Sequence, residues 1–180
     1  MPSQFIQRKR ALAFFFLDKS RDGYLKQSDF TSFAQGVAEG LGFEAGSDAY
    51  NKLTDTYSTI WNQFFKMLDL EGDDQLTLLE YINGYDKLIA IPNFEGILAG
   101  VARTIFDAID TNGNGTISPD EYAAFLSPNG FTKEEANAVF QKLDTNGNGV
   151  ISRDEFAQHQ LEYWTSEDVN ATGNWVFGSY

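Results

Sequence analysis

One twelve-residue pattern occurs twice in the chain, and it constrains the fold more than any other feature. The two segments are DTNGNGTISPDE at 110–121 and DTNGNGVISRDE at 144–155. Each begins with aspartate, has asparagine at positions 3 and 5 and glycine at position 6, and ends with glutamate. A loop that wraps around a hard divalent cation needs oxygen ligands at this spacing and a tight turn at position 6. Both segments therefore predict metal-binding loops.

We call these segments loop 3 (110–121) and loop 4 (144–155). Positions 1, 3, 5 and 12 supply side-chain oxygens, position 7 supplies its backbone carbonyl, and position 9 holds a water molecule. The predicted ligands are Asp110, Asn112, Asn114, Thr116 and Glu121 in loop 3, and Asp144, Asn146, Asn148, Val150 and Glu155 in loop 4, with Ser118 and Ser152 at the water position.

The residues around each loop predict a helix on either side. A phenylalanine stands four residues before each loop and an aliphatic residue one before it, which is the spacing of one buried helix face. Ser118 with Glu121, and Ser152 with Glu155, form the sequence of a capping box that starts the next helix. The isoleucine at position 8 of each loop favours a short strand through which two loops pair.

The same frame fits two fainter copies, loop 1 (18–29, DKSRDGYLKQSD) and loop 2 (69–80, DLEGDDQLTLLE). Both copies keep the apolar residues before the loop, at position 8 and after the loop. Internal repeats of this kind indicate one repeated structural unit. The predicted ligands are Asp18, Ser20, Asp22, Tyr24 and Asp29 in loop 1, and Asp69, Glu71, Asp73, Gln75 and Glu80 in loop 2.

Loop 1 departs from the pattern at positions 9 and 12. Lys26 occupies the water position, and Asp29 replaces the closing glutamate. Aspartate is one methylene shorter and tends to reach an ion with a single oxygen, which gives six ligands and a shell closer to what magnesium tolerates. We therefore expect loop 1 to bind a divalent ion, with Mg²⁺ as a competitor of Ca²⁺.

Loop 2 departs from the pattern at position 6, where Asp74 stands in place of glycine. Aspartate enters the left-handed backbone region at a cost of roughly 1 kcal/mol. Thr77 and Glu80 provide a capping box, but four carboxylates repel one another when no ion is bound. Loop 2 is either a fourth site or a decayed loop kept for its pairing with loop 1.

Each loop with its two flanking helices forms one helix–loop–helix unit, which we call a hand. The predicted fold is all-α: four hands form two pairs, the loops of each pair are joined by short strands, and the two pairs pack into one compact body. A glycine-rich segment at 36–47 separates two helices, and apolar residues at three- and four-residue intervals predict one long helix from about 48 to 68. The predicted units are an N-terminal pair at 1–92, a C-terminal pair at 93–160 and a tail at 161–180 that packs on the core.

Composition excludes several classes of function. The 180 residues carry 26 acidic and 13 basic side chains, a net charge of -13, so we expect no nucleic-acid partner. The absence of cysteine and the single histidine exclude disulfides and argue against a structural zinc site. No apolar run approaches the roughly 20 residues that span a bilayer. We expect a monomeric cytoplasmic protein, and no motif indicates an enzyme.

Four hands, a long helix before the second and the aromatic tail LEYWTSEDVNATGNWVFGSY resemble the sarcoplasmic calcium-binding protein and calexcitin group of EF-hand proteins. The resemblance covers almost the whole chain. It implies a compact cytosolic calcium-binding protein of about 20 kDa with two halves packed together. Members of this group usually have one inactive loop.

Three functions are compatible with these features. A sensor opens a methionine-rich groove on binding calcium, whereas this chain has two methionines and sixteen phenylalanines, which favours a calcium buffer. A sensor with a protein target is the second interpretation. The third is a coelenterazine photoprotein, because the tail sequence HQLEYW at 159–164 resembles those proteins, although His159 is the only histidine here.

Overall fold

The computed structural model describes residues 3–178, which leaves out the outermost residues of the predicted N-terminal unit and of the tail. Helices dominate this part of the chain, and four two-residue strands lie between them. The helices are α1 (Gln4–Leu17), α2 (Gln27–Gly40), α3 (Asp48–Ile60), α4 (Leu78–Ile89), α5 (Phe94–Ile109), α6 (Pro119–Leu126), α7 (Lys133–Leu143) and α8 (Arg153–Thr165). The strands are β1 (Tyr24–Leu25), β2 (Leu76–Thr77), β3 (Thr116–Ile117) and β4 (Ile151–Ser152).

Each of the four loops joins two helical segments, and the loops pair as the sequence predicts. Strand β1 is antiparallel to β2, with Leu25 opposite Leu76. Strand β3 is antiparallel to β4, with Ile117 opposite Ile151. All four of these position-8 side chains are fully buried. The pairing therefore ties loop 1 to loop 2 and loop 3 to loop 4, and the predicted four-hand fold is confirmed.

The helical segment before loop 2 has the predicted bounds but not a uniform winding. Helix α3 ends at Ile60, and a π turn (Trp61–Phe65) and a 3₁₀ turn (Lys66–Leu68) continue to the loop. Trp61 and Phe65, at the two ends of the π turn, both face inwards, where each ring centroid lies about 5 Å from that of Phe30 in α2. A π turn of this kind interrupts the regular α-helical winding just before the loop.

The two pairs of hands share one core, and the tail is part of it. Trp164 of α8 stacks on Tyr85 of α4, with ring centroids 5.3 Å apart. The ring centroid of Phe177 lies 4.6 Å from the ring centroids of both Phe16 in α1 and Tyr163 in α8. The aromatic residues at the end of the chain therefore fill the space between the N-terminal and C-terminal helices.

Helix α1 also links α4 and α8 through two buried cations. The Lys9 ammonium donates to the carbonyls of Glu162 and Ser166 at the end of α8, at 3.3 and 2.9 Å. Tyr163 returns a hydrogen bond of 2.7 Å to the Lys9 carbonyl. Arg10 donates to the Ile82 carbonyl of α4 at 2.7 Å, and its guanidinium lies over the ring of Tyr85. The bonds between Lys9 and α8 fasten the two halves together, and the bond of Arg10 holds α1 against α4 within the N-terminal half.

Within residues 3–178, no single helix is long and apolar enough to cross a membrane. Helices α4 and α5 reach that length and composition only as a pair, and the pair is bent by 109°.

The burial of Lys9 gives a testable dependence of stability on pH. Desolvation lowers the pKa of Lys9 from 10.5 to about 8. Below pH 8 the folded protein buries a charged amine, and this penalty disappears as the pH rises from 8 towards 10.5, because the folded state loses the proton first. Between pH 8 and pH 10 the free energy of unfolding should therefore rise in the wild type relative to Lys9→Met, by on the order of 2 kcal/mol.

Urea unfolding in saturating calcium at several pH values measures this difference. Lys87→Met, which removes an exposed lysine, serves as the control and should keep the wild-type pH profile. Parallel profiles for the wild type and Lys9→Met would contradict the assignment of a buried, partly neutral amine.

Candidate metal-binding loops

All four loops have the same backbone conformation. Position 6 has a positive φ in each loop, and this includes Asp74 in loop 2, where φ is 61°. Position 4 is also left-handed in each loop, a feature that the sequence analysis did not predict. Three loops have glycine there, but loop 1 has Arg21, with φ of 57°. Loops 1 and 2 thus each hold one non-glycine residue in a conformation that side chains resist.

The first aspartate of every loop makes the same hydrogen bond. Its Oδ2 accepts from the backbone N–H five residues further on, at position 6 of the loop. The donors are Gly23 to Asp18 at 3.0 Å, Asp74 to Asp69 at 2.8 Å, Gly115 to Asp110 at 2.8 Å and Gly149 to Asp144 at 2.8 Å. The bond requires the left-handed turn at position 6, and it fixes the carboxylate of position 1 inside the loop.

The closing glutamate of loop 3 joins the two ends of that loop. One oxygen of Glu121 accepts from the Thr111 amide and the Asn112 side chain, at 3.0 and 2.9 Å. Its other oxygen accepts from the Ser118 amide and hydroxyl, at 2.9 and 2.8 Å, as the predicted capping box requires. The Asn114 side chain accepts from the amide of Thr116, which lies in β3.

Loop 4 repeats this arrangement almost bond for bond. Glu155 accepts from Asn146 at 2.6 Å through one oxygen and from the Ser152 amide at 3.1 Å through the other. Asn148 accepts from the amide of Val150, the residue before β4. Hydrogen bonds therefore link all five predicted ligand residues within loop 3 and within loop 4.

Electrostatics keep the two closing glutamates ionised. Burial raises the pKa of the Glu121 carboxyl, but the hydrogen bonds from Ser118, Thr111 and Asn112 outweigh burial and hold that pKa below its usual range. The same balance, with Ser152 and Thr145 as donors, lowers the pKa of Glu155. A carboxylate at position 12 that remains charged at neutral pH is suited to a hard cation such as Ca²⁺.

Loop 1 gathers its ligands around a competing cation. Asp29 accepts from the amides of Ser20 and Lys26, at 2.9 and 3.0 Å, so the shorter side chain still spans the loop. The Lys26 ammonium, however, forms an ion pair with Asp22, the ligand predicted at position 5. This hydrogen bond is the main reason that the pKa of Asp22 is lowered. A metal ion at loop 1 must displace the Lys26 ammonium from Asp22 or share the Asp22 carboxylate with it.

Loop 2 has a well-formed backbone and an incomplete set of side-chain contacts. Thr77 and Glu80 form the predicted capping box through one oxygen of Glu80, at 2.9 Å from the Thr77 amide. The other oxygen of Glu80 is buried and has no hydrogen-bond partner within residues 3–178. Gln75 donates to Asp73, whereas Glu71 is exposed and makes no hydrogen bond to the described residues.

The oxygen ligands of the loops fit a hard cation. Within residues 3–178, no three carboxylate or imidazole side chains converge closely enough to hold an ion by themselves. Loops 3 and 4 divide their ligands among carboxylates, amides and carbonyls, which is the chemistry of calcium sites. The partnerless oxygen of Glu80 is the kind of buried polar atom that an absent ion would explain.

The comparisons with known proteins agree with this geometry. Residues 101–160 match the family model described as an EF-hand domain pair. Calerythrin of Saccharopolyspora erythraea is 33% identical over 122 residues, which cover 66% of this chain and 69% of calerythrin. The chain belongs to the EF-hand family of calerythrin and the sarcoplasmic calcium-binding proteins. The sarcoplasmic calcium-binding protein of Scylla paramamosain is 32% identical over 60% of this chain and 58% of its own length.

Solved structures of EF-hand proteins show the same fold. A Streptomyces coelicolor calcium-binding protein superimposes with a TM-score of 0.76 at 24% identity, over 91% of this chain and 99% of its own. Calcium-loaded apo-aequorin from Aequorea victoria superimposes with a TM-score of 0.73 at 20% identity, over 92% of this chain and 93% of its own. The predicted family and the all-α fold are thus confirmed.

The closing glutamate of loop 3 provides the first prediction for the site. Glu121→Gln removes one ligand charge, so calcium affinity at one site should fall on the order of a hundredfold. Glu135→Gln is the matched control, because Glu135 caps α7 through the same contacts with Thr132 but lies outside the loops. Calorimetric titration should show one weakened site in Glu121→Gln and wild-type binding in Glu135→Gln; equal titrations for both variants would exclude Glu121 as a ligand.

The ion pair in loop 1 provides a second prediction. Lys26→Ser removes the competing ammonium and installs the residue found at position 9 of loops 3 and 4, so loop 1 should bind calcium several-fold more tightly. Lys133→Ser is the control, since Lys133 pairs at 2.8 Å with Asp120, which is not a predicted ligand. Titrations of the two variants should differ only at the weakest site, and an unchanged or weaker site in Lys26→Ser would contradict the competition.

Proposed function

We propose that this chain is a monomeric cytoplasmic calcium buffer. The observation that carries the proposal is the packing of the two halves on one another. A sensor must expose an apolar groove when calcium binds. Here the apolar faces of the hands are covered by each other and by the tail, where Val176 is buried and Phe177 packs against Trp164.

The bonds between the halves also oppose opening. The contacts of Lys9 join α1 to α8 of the other half, and the contacts of Arg10 hold α1 against α4, the helix that leaves loop 2. Both cations are buried, so separation of these helices would leave charged groups or carbonyls without partners. Met67 is the one internal methionine and is 45% exposed, so it does not form the methionine-rich groove with which a sensor binds a target helix. These features support calcium storage rather than calcium-dependent recognition of a protein.

The proposed calcium sites are the four loops, which should differ in calcium affinity. Loops 3 and 4 have the most complete rings of donors and are the regular sites. Loop 2 is proposed as a fourth site, because its backbone has the common conformation and one Glu80 oxygen is buried without a partner. Its backbone is already formed, so calcium binding should require its side chains, and not its backbone, to rearrange.

Loop 1 is proposed as the site at which magnesium competes. Asp29 ends this loop in place of glutamate, and a shell of six oxygens suits the smaller ion. The ion pair of Lys26 with Asp22 reduces the negative charge available to either cation. Loop 1 should therefore bind calcium weakly, and physiological magnesium should occupy it in part.

A photoprotein function receives less support. The aromatic residues Tyr163, Trp164 and Phe177 pack on one another, and the tail fills the interior where a large luciferin would need space. His159 is buried and its Nε2 lies 2.7 Å from the Leu143 carbonyl, so it contributes to the packing of α8 on α7. Incubation with coelenterazine followed by calcium should produce no light.

A calorimetric titration tests the number of sites. Calcium alone should bind at four sites, and millimolar magnesium should remove or weaken the contribution of loop 1 while the other sites keep their affinity. Glu80→Gln should reduce the count by one. A wild-type count of three that is unchanged by Glu80→Gln would show that loop 2 is a decayed loop.

Retention on phenyl-agarose distinguishes a buffer from a sensor. A sensor exposes apolar surface with calcium and elutes with a chelator, whereas the packed halves predict no retention in either condition. Calmodulin provides the positive control. Calcium-dependent retention of this chain would favour the sensor function.

A further inference from the structure

Every asparagine that loops 3 and 4 offer as a metal ligand is followed directly by glycine. The chain contains six asparagine–glycine pairs, and four of them occupy positions 3–4 and 5–6 of these two loops. Glycine has no Cβ, so its amide nitrogen can approach the side chain of the preceding residue. The predicted ligands Asn112, Asn114, Asn146 and Asn148 are therefore candidates for a covalent change that begins at the neighbouring glycine.

The reaction is the hydrolysis of the asparagine side-chain amide by way of a cyclic imide. The glycine nitrogen attacks Cγ of the asparagine and forms a new bond to it. The bond from Cγ to Nδ2 breaks, and ammonia leaves with the proton of the backbone amide. One water molecule then opens the five-membered ring at either carbonyl, which gives aspartate or isoaspartate. The reaction consumes water and releases ammonia, and it needs no oxidant, reductant or cofactor.

The two pairs of each loop differ at the attacking nitrogen. At position 6, the amides of Gly115 and Gly149 donate to the carboxylate of the first aspartate, each at 2.8 Å. At position 4, the amides of Gly113 and Gly147 donate to the backbone carbonyl of the same aspartate, each at 3.3 Å. A short bond to a carboxylate is stronger than a long bond to a neutral carbonyl. The nitrogen at position 4 is therefore the less restrained nucleophile.

The attacked carbonyl groups are matched, most closely in loop 4. Asn146 Oδ1 accepts from the Asn148 amide, and Asn148 Oδ1 accepts from the Val150 amide, both at 3.0 Å. Loop 3 has the same two bonds, with an additional bond from the Thr116 hydroxyl to Asn114. All four asparagines are exposed, so water reaches each of them. The difference between the two pairs of a loop therefore lies mainly in the glycine amide.

The closing glutamate holds the leaving nitrogen at position 3. Nδ2 of Asn112 donates to Glu121 at 2.9 Å, and Nδ2 of Asn146 donates to Glu155 at 2.6 Å. This bond can persist while the imide ring closes, because ammonia leaves only after the attack. It therefore does not protect position 3 in the way that the aspartate carboxylate protects the nucleophile of the position-5 pair.

We infer that Asn112 and Asn146 are sites of spontaneous deamidation, and that Asn114 and Asn148 are protected from it. The isoaspartate product adds one methylene to the backbone between positions 3 and 4. This insertion lies between the first aspartate and the position-6 amide that it binds, so it should disrupt their hydrogen bond and abolish calcium binding at that loop. The effect on calcium rests on the proposed function, whereas the modification itself does not.

Incubation of the metal-free protein in ¹⁸O-labelled water tests the order of reaction. Each deamidation installs one ¹⁸O atom, and mass spectrometry of peptides assigns the label to a residue. Label at Asn146 should accumulate at least about fivefold faster than label at Asn148, because the protected nucleophile must lose a charge-assisted bond. Asn83, whose glycine lies within α4, is the reference inside the same molecule and should stay unlabelled.

Three controls separate the folded loop from the local sequence. In urea, where the loop bonds are absent, the rates at Asn146 and Asn148 should become similar. Asp144→Ala releases the Gly149 amide, so Asn148 should react as fast as Asn146, while loop 3 keeps its wild-type order. Asp144→Asn keeps an acceptor oxygen without the charge and should give an intermediate ratio.

Two results would overturn the assignment of the reactive sites. Label that accumulates at Asn148 as fast as at Asn146 in the folded wild type would remove the protection by the aspartate. The same order of rates in urea would assign the difference to the sequence and not to the structure.

Calorimetry of aged protein tests the consequence for calcium. Ion exchange isolates the form that carries isoaspartate at position 146, and this form should bind one calcium ion fewer than the unmodified protein. An unchanged calcium count in this form would refute the effect on the loop and leave the modification in place. A lack of calcium binding by the unmodified protein would refute the proposed function instead.

Discussion

The hydrogen bond between the first aspartate of each loop and the amide at position 6 is the constraint on which the rest of the structure depends. It occurs in all four loops at 2.8–3.0 Å. The bond fixes the position-1 carboxylate inside the loop, and the closing residue of each loop lies in the first turn of the next helix. Metal chemistry and helix capping therefore use the same side chain, such as Glu121.

The geometry of the loops also organises the core. Strand pairing at position 8 places two helix pairs around each pair of loops, and their apolar faces meet in one interior. Lys9 and Arg10 of α1 then join the helices that follow loops 4 and 2. The result is a body whose two halves are packed on one another, and this packing supports the proposed storage function.

Much of this structure is predictable from the sequence because the loop pattern combines several independent requirements. Loops 3 and 4, their capping boxes and the left-handed backbone of Asp74 all follow from position within the pattern. The left-handed backbone at position 4 was not predicted, although an alignment of the four loops shows glycine at that position in three of them. The π turn, the buried cations of α1 and the pairing of Lys26 with Asp22 depend on tertiary packing or on side-chain reach, which spacing along the chain does not encode.

The central claim is that these oxygen rings close around calcium, and the backbone amide at position 6 reports this directly. In ¹⁵N-labelled protein, the amide signals of Gly23, Asp74, Gly115 and Gly149 should move far downfield as calcium is added, because the ion polarises the aspartate that accepts from them. Gly115 and Gly149 should respond first. Amide signals of Gly115 and Gly149 that stay at their metal-free positions in saturating calcium would contradict the account.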